Sequence, residues 1–128
     1  MTGCQKLPDA KNANGREWRR EASDLTVRER EIVVLTTATH FGSAFVKAAH
    51  YRDAKAIGLP VEALDAIVES RTPAFSDPRE RDVYDLTVTL HRSNPVPSEK
   101  AAHFEEMLGK KLVAEVLGYI GSYAVTCY

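Results

Sequence analysis

Thr26 stands three residues before Glu29, directly ahead of a run in which apolar residues recur every three to four positions. A Thr and a Glu at this spacing can each take up the other's free backbone N–H, so a helix is expected to start at about Val27. In that helix Glu31 shares a face with Val27, Val34, Leu35 and Ala38, which places a carboxylate on an apolar stripe. Phe41-Gly42 interrupts the pattern, and a second helix is expected over Ser43 to Ile57. Gly58 suits the position after that helix, because glycine takes positive φ without penalty. On the second helix His50 shares a face with Ser43, Val46, Ala54 and Ile57. Two consecutive helices joined by a tight turn pack antiparallel. Each therefore brings one ionisable group, Glu31 or His50, to a shared apolar seam.

The rest of the chain repeats this helical logic. Pro60 opens a strongly apolar segment with Val61, Leu64, Ala66, Ile67 and Val68. Asp77-Pro78-Arg79-Glu80 reads as an N-cap, a first-turn proline and an acidic third position, starting a helix over Pro78 to Arg92 with Val83, Leu86, Thr87 and Leu90 inward. A shorter helix follows from Ser98 to about Gly109, and a last one from about Lys110 to Thr126. Ala114, Gly118 and Gly121 lie along one side of that last helix, where small side chains let another backbone approach, from this chain or from a second subunit. No segment alternates as a strand does. The expected fold is all-α, about six helices with short loops. Residues 1–24 form a polar lead with a possible short helix over Arg16 to Ala22 and Trp18 packed onto the core or a neighbouring subunit, and residues 25–128 form the domain.

Composition narrows the function. At 128 residues the chain is one domain with a real core. A net charge of −1 with interspersed signs argues against nucleic acid and against a polybasic membrane patch. No apolar run reaches the length of a membrane span, and the first twenty residues lack the apolar region of a secretory signal. Cys4 and Cys127 lie near opposite ends, outside the Glu31–His50 region, and make no disulfide framework. The expected setting is cytoplasmic. His40, His91 and His103 do not sit at metal-ligand spacings, and no phosphate loop, dinucleotide or haem motif is present, so neither metal nor cofactor is expected.

His50 is the leading candidate for chemistry. Imidazole exchanges protons near neutral pH, and a neighbouring carboxylate orients it and favours its protonated form. Glu31 lies nineteen residues before it; Asp53, at i+3, competes as the partner. A buried pair with a purely structural role fits the same spacing. Ser43 invites a triad reading, but seven residues of helix separate it from His50 by about 10 Å, and a helix cap is its simpler role. Lys47, one turn before His50, is placed to meet a substrate carboxylate at a cleft rim or to remain a solvated charge.

The run REREIVVL, the Gly42-Ser43 break, His50 and the segment Ala54 to Leu59 together resemble the carboxymuconolactone decarboxylase superfamily, which includes proteins of the alkylhydroperoxidase D (AhpD) type. The resemblance covers about residues 25–126 and implies an AhpD-like orthogonal helical bundle. In the AhpD pattern a Glu precedes Cys-x-x-Cys-x-x-x-His. Glu31 and His50 match its Glu and His, while Ser43 and Val46 fall on the two cysteines, so dithiol peroxidase chemistry is not expected. Another branch carries Tyr-Glu-Trp-x-x-His; here Phe45 keeps the aromatic first position and His50 the last. The resemblance implies a cofactor-free lyase acting on a small carboxylated lactone or carbonyl compound. Its site residues would be His50 and Glu31 for proton transfer, with Lys47, Ser43 and Phe45 toward substrate. It also implies assembly into trimers or hexamers. Family members continue the last helix further, whereas this chain stops at Tyr128. A thiol-free protein that binds a ligand or partner without turnover, and a structural oligomer, are the alternatives.

Overall fold

A computed structural model describes residues 23–127, and these residues contain six helices and no strand. They are α1 (Val27–Phe41), α2 (Ala44–Ala56), α3 (Val61–Val68), α4 (Pro78–Arg92), α5 (Ser98–Leu108) and α6 (Lys110–Cys127). The expected short helix over Arg16 to Ala22, the packing of Trp18 and the place of Cys4 lie outside the described residues.

The protein is built around α1, which packs against α2, α3, α4 and α6. Its start follows the sequence: Thr26 Oγ1 accepts from Glu29 N at 3.0 Å, and Glu29 Oε1 accepts from Thr26 N at 2.9 Å. Seven consecutive residues from Ile32 to Ala38 are buried, because neighbours surround the helix on several sides rather than on one. One cluster joins Ile32 and Leu35 to Ala54, Leu59, Leu64, Ile67, Phe75 and Tyr84. Another joins Val33 to Val83, Leu86, Phe104, Leu112, Val116 and Tyr119. Removing a core side chain such as Leu35 or Leu86 leaves a cavity costing about 2–5 kcal/mol.

Three helices end in the same way. After α1, Ser43 N donates to Ala38 O and Gly42 N to Thr39 O; after α2, Leu59 N donates to Ala54 O and Gly58 N to Lys55 O. After α3, Arg71 N donates to Ala66 O and Ser70 N to Ile67 O. This paired bonding needs one left-handed residue. Gly42 (φ 74°) and Gly58 (φ 101°) supply it without a Cβ, but the third position is Ser70 at φ 60°. A serine there carries about 1 kcal/mol or more of backbone strain that glycine would avoid.

Several expectations need adjustment. Pro60 is the N-cap of α3 rather than its first residue, a one-residue difference at a frayed boundary. Ile57, expected on the inner face of α2, is 38% exposed, because the helix has already ended at Ala56 and the chain turns there. The side of α6 bearing Ala114, Gly118 and Gly121 does not pack against the other described residues. All three are exposed, and a Cβ added at either glycine meets nothing within 4 Å.

The helix starts also carry a feature absent from the sequence reading. Arg28-Glu29 in α1 and Arg79-Glu80 in α4 form a reciprocal pair. Arg28 Nε donates to Glu80 Oε2 at 2.7 Å, and Arg79 Nε donates to Glu29 Oε2 at 2.7 Å. Each arginine also binds a backbone carbonyl, Arg28 that of Gly58 and Arg79 that of Asp24. The hydrogen bond to Glu80 raises the Arg28 guanidinium above its already high value. Glu29 and Glu80 are both buried, and these two arginines neutralise them.

Candidate functional site

Glu31 and His50 meet in the seam between α1 and α2. His50 Nδ1 lies 2.8 Å from Glu31 Oε1, and the side chains are 18% and 14% exposed, respectively. They come together from consecutive helices that pack on each other and are joined at the left-handed Gly42. Because Glu31 occupies Nδ1, the Nε2 atom is the ring nitrogen left to exchange a proton with another molecule. Asp53, the competing partner, instead accepts from Arg52 Nε at 3.3 Å on the surface. The Tyr123 ring of α6 stands edge-on to His50, with centroids 5.3 Å apart and planes at 89°. Tyr123 therefore fixes one side of the imidazole from a helix more than seventy residues away in sequence.

The three other candidates lie at the start of α2. Ser43 caps α2, its Oγ accepting from Val46 N at 3.3 Å, which commits the hydroxyl to the helix start. Phe45 is 83% exposed and points outward. Lys47 is partly buried and forms no ion pair among the described residues. Cys127 corrects the expectation drawn from its position in the chain. It packs against the small cluster of Val34, Ala38 and Val46, beside Tyr123, so the end of α6 returns to the Glu31–His50 region. Only the three-dimensional return of the last helix reveals this.

A cavity of about 190 Å³ lies elsewhere, on another flank of α1, and is lined by Thr36, Thr39 and His40 of α1 with residues of α3, α4 and the turn after α3. Neither Glu31 nor His50 lines it. Sequence spacing gave no reason to join His40 and His91. In the structure their rings stack with centroids 4.3 Å apart and planes at 22°, and Phe41 stands edge-on to both. His91 Nε2 lies 3.0 Å from the buried Thr37 hydroxyl. Burial first, and the neighbouring His40 second, push the His91 pKa down to about 4. An unfolded histidine titrates near 6.5. Between those values the unfolded chain binds the proton before the folded one does, so stability is complete above about pH 6.5 and is lost as pH falls toward 4. After allowance for partial exposure, His91→Gln is expected to remove about 1–2 kcal/mol of pH-dependent stability between pH 7 and pH 4.5. Urea denaturation of both proteins at the two pH values measures this, and equal pH dependence would contradict it. Among the described residues no group of three His, Cys, Asp or Glu is placed to hold a metal ion.

A model of the carboxymuconolactone decarboxylase family matches residues 8–88. The chain belongs to that family. The match begins inside the segment read as a lead and ends within α4; it contains α1, α2 and both members of the Glu31–His50 pair. The all-helical fold agrees with the AhpD-like bundle that membership implies. No curated protein and no solved structure matches the chain. Membership makes this a decarboxylase-like or AhpD-like protein. Among the described residues no helix is long and apolar enough to cross a membrane.

Proposed function

We propose that this family member is a cofactor-free lyase that decarboxylates a small carboxylated lactone or carbonyl compound, with His50 as the proton-transfer group and Glu31 as its orienting partner. The observation that carries this reading is the 2.8 Å contact between His50 Nδ1 and Glu31 Oε1 inside the family-matched segment. In the reaction the carbon–carboxylate bond breaks and carbon dioxide leaves. The bonding electron pair stays on the substrate carbon and spreads into the adjacent carbonyl. A proton from His50 Nε2 then ends on that carbon, and solvent restores it. Glu31 keeps the ring oriented and balances the charge of the imidazolium. Lys47 supplies a cation for the carboxylate before it leaves, and Phe45 and the Ser43 turn bound the approach.

A second reading, ligand binding without turnover in a thiol-free AhpD-like protein, is favoured by one observation: the described cavity does not include the pair. Release of carbon dioxide from a panel of small carboxylated lactones and β-keto acids separates the two. Turnover lost in His50→Ala supports the lyase. Saturable binding of a panel member with no release from any of them supports the second reading and overturns the first.

Assembly of identical subunits, as a trimer or a hexamer, is part of the proposal. The free side of α6 combines Ala114, Gly118 and Gly121 with Leu117 at 50% and Val125 at 76% exposure. Large apolar groups beside small ones suit close helix packing, and a second copy of this chain is the proposed occupant. Sedimentation equilibrium at micromolar concentration is expected to give a trimer or larger, with Leu117→Glu lowering the mass. A compact monomer for the unmodified chain would rule this assembly out.

A further inference from the structure

We propose that the cavity between α1, α3 and α4 is a second ligand site, distinct from the Glu31–His50 pair, that takes a small planar organic carboxylate. Its size suits one substituted ring: an apolar cavity of about 150 Å³ holds benzene, and this one is about 190 Å³. Its walls combine an apolar floor, Ile67 and Val88, with polar groups at the sides. Among the described residues Arg92 is the permanent charge that lines the cavity, and no carboxylate lines it. Asp85 is near enough to act on the Tyr84 hydroxyl but lies outside the lining, whereas Arg92 acts on the same hydroxyl from within it. The charge balance therefore favours an anion, and a guanidinium offers a carboxylate two parallel donors.

Three helices end at this cavity, which would ordinarily disfavour an anion. Part of that effect is offset at two of them, however: Ala38 O and Thr39 O accept from the Gly42-Ser43 turn, and Ala66 O and Ile67 O from Arg71 and Ser70. Two further observations point to a bound polar group. Thr36 is 93% buried, lines the cavity, and its Oγ1 has no hydrogen-bond partner among the described residues. A buried hydroxyl without a partner is costly, and turning the Thr36 side chain toward the cavity would let a ligand oxygen satisfy it. Ser70 is the second. At the two equivalent helix ends the left-handed position is glycine, whereas here it is a strained serine on the cavity wall. Backbone strain of this kind gathers at ligand sites. The stacked His40 and His91 also line the cavity and offer aromatic surface to a planar molecule.

Benzoate, with benzamide as its neutral counterpart, tests the site by amide chemical-shift titration of the full chain. Benzoate is expected to shift resonances around Thr36, Ser70 and Arg92 saturably, and benzamide to bind at least about tenfold more weakly. Arg92→Gln should weaken benzoate by about tenfold or more. Ser70→Gly should raise the melting temperature by relieving strain while weakening benzoate, a combination that a merely structural serine would not give. His50→Ala should leave benzoate affinity unchanged, which keeps this site separate from the proposed lyase. The proposal is overturned by the absence of saturable shifts, by benzamide binding equally well, by Arg92→Gln leaving affinity unchanged, or by shifts centred on His50 that His50→Ala abolishes.

Discussion

His50→Ala is expected to cut turnover by about 10²–10⁴-fold, the range for removing a positioned acid–base group, while the helical fold remains. The imidazole sits at the edge of the core rather than inside it, with Nδ1 committed to Glu31 and its ring beside Tyr123. Truncation therefore leaves Glu31 close to solvent, and the loss of stability should be small compared with the loss of rate. If the pair served structure alone, the variant would lose a few kcal/mol of stability by stranding Glu31, and no rate or binding measurement would respond. Circular dichroism melting alongside the carbon dioxide assay separates these outcomes. Glu31→Gln provides the intermediate case. It keeps an acceptor for Nδ1–H but removes the charge that balances an imidazolium, so its rate should fall between those of wild type and His50→Ala.

Arg79→Ala should destabilise the protein by about 2–4 kcal/mol, more than an exposed arginine normally would. The reason lies in the partner. Glu29 is 1% exposed, accepts from Thr26 N at the helix start, and is otherwise neutralised by Arg79 Nε at 2.7 Å and Nη2 at 3.3 Å. Removing the guanidinium leaves a buried carboxylate without a counter-ion and frees the Asp24 carbonyl. The double variant Arg79→Ala/Glu29→Gln should recover part of the loss, since an amide keeps the cap bond and carries no charge to bury. Equal stability of the single and double variants in urea denaturation would show that the stranded charge is not the cause. The reciprocal pair Arg28–Glu80 should behave in the same sense, with Glu80 as the buried member.

The parts of this structure that are local in sequence were legible in it. The Thr26–Glu29 box, the Gly42-Ser43 break and the Asp77-Pro78 start each act within four residues, and each sets a helix end where it was expected. The Glu31–His50 contact could be anticipated because one tight turn joins the two helices, so face and spacing nearly determine register. Contacts between distant segments were not legible. Arg79 meets Glu29 across fifty residues, and each looked complete on its own helix, Glu29 in the capping box and Arg79 as part of the Asp77-Pro78 helix start. His40 and His91 stack only because α1 and α4 end side by side, which no helical periodicity encodes. Tyr123 and Cys127 reach the α1–α2 region only after the chain has passed through four more helices. The open side of α6 illustrates a different limit: small residues announce close packing without saying whether the neighbour lies in the same chain.

The proton on the His50 ring tests the central claim most directly. Long-range proton–nitrogen correlation spectra of the full chain, assigned by comparison with His50→Ala, report which ring nitrogen carries hydrogen and whether it is hydrogen-bonded. The expected result is a protonated Nδ1 with a downfield, slowly exchanging hydrogen that returns toward ordinary values in Glu31→Ala. A His50 ring whose Nδ1 carries no proton, or whose Nδ1–H is indifferent to Glu31, would contradict the orienting role of Glu31 and with it the proposed proton transfer from Nε2.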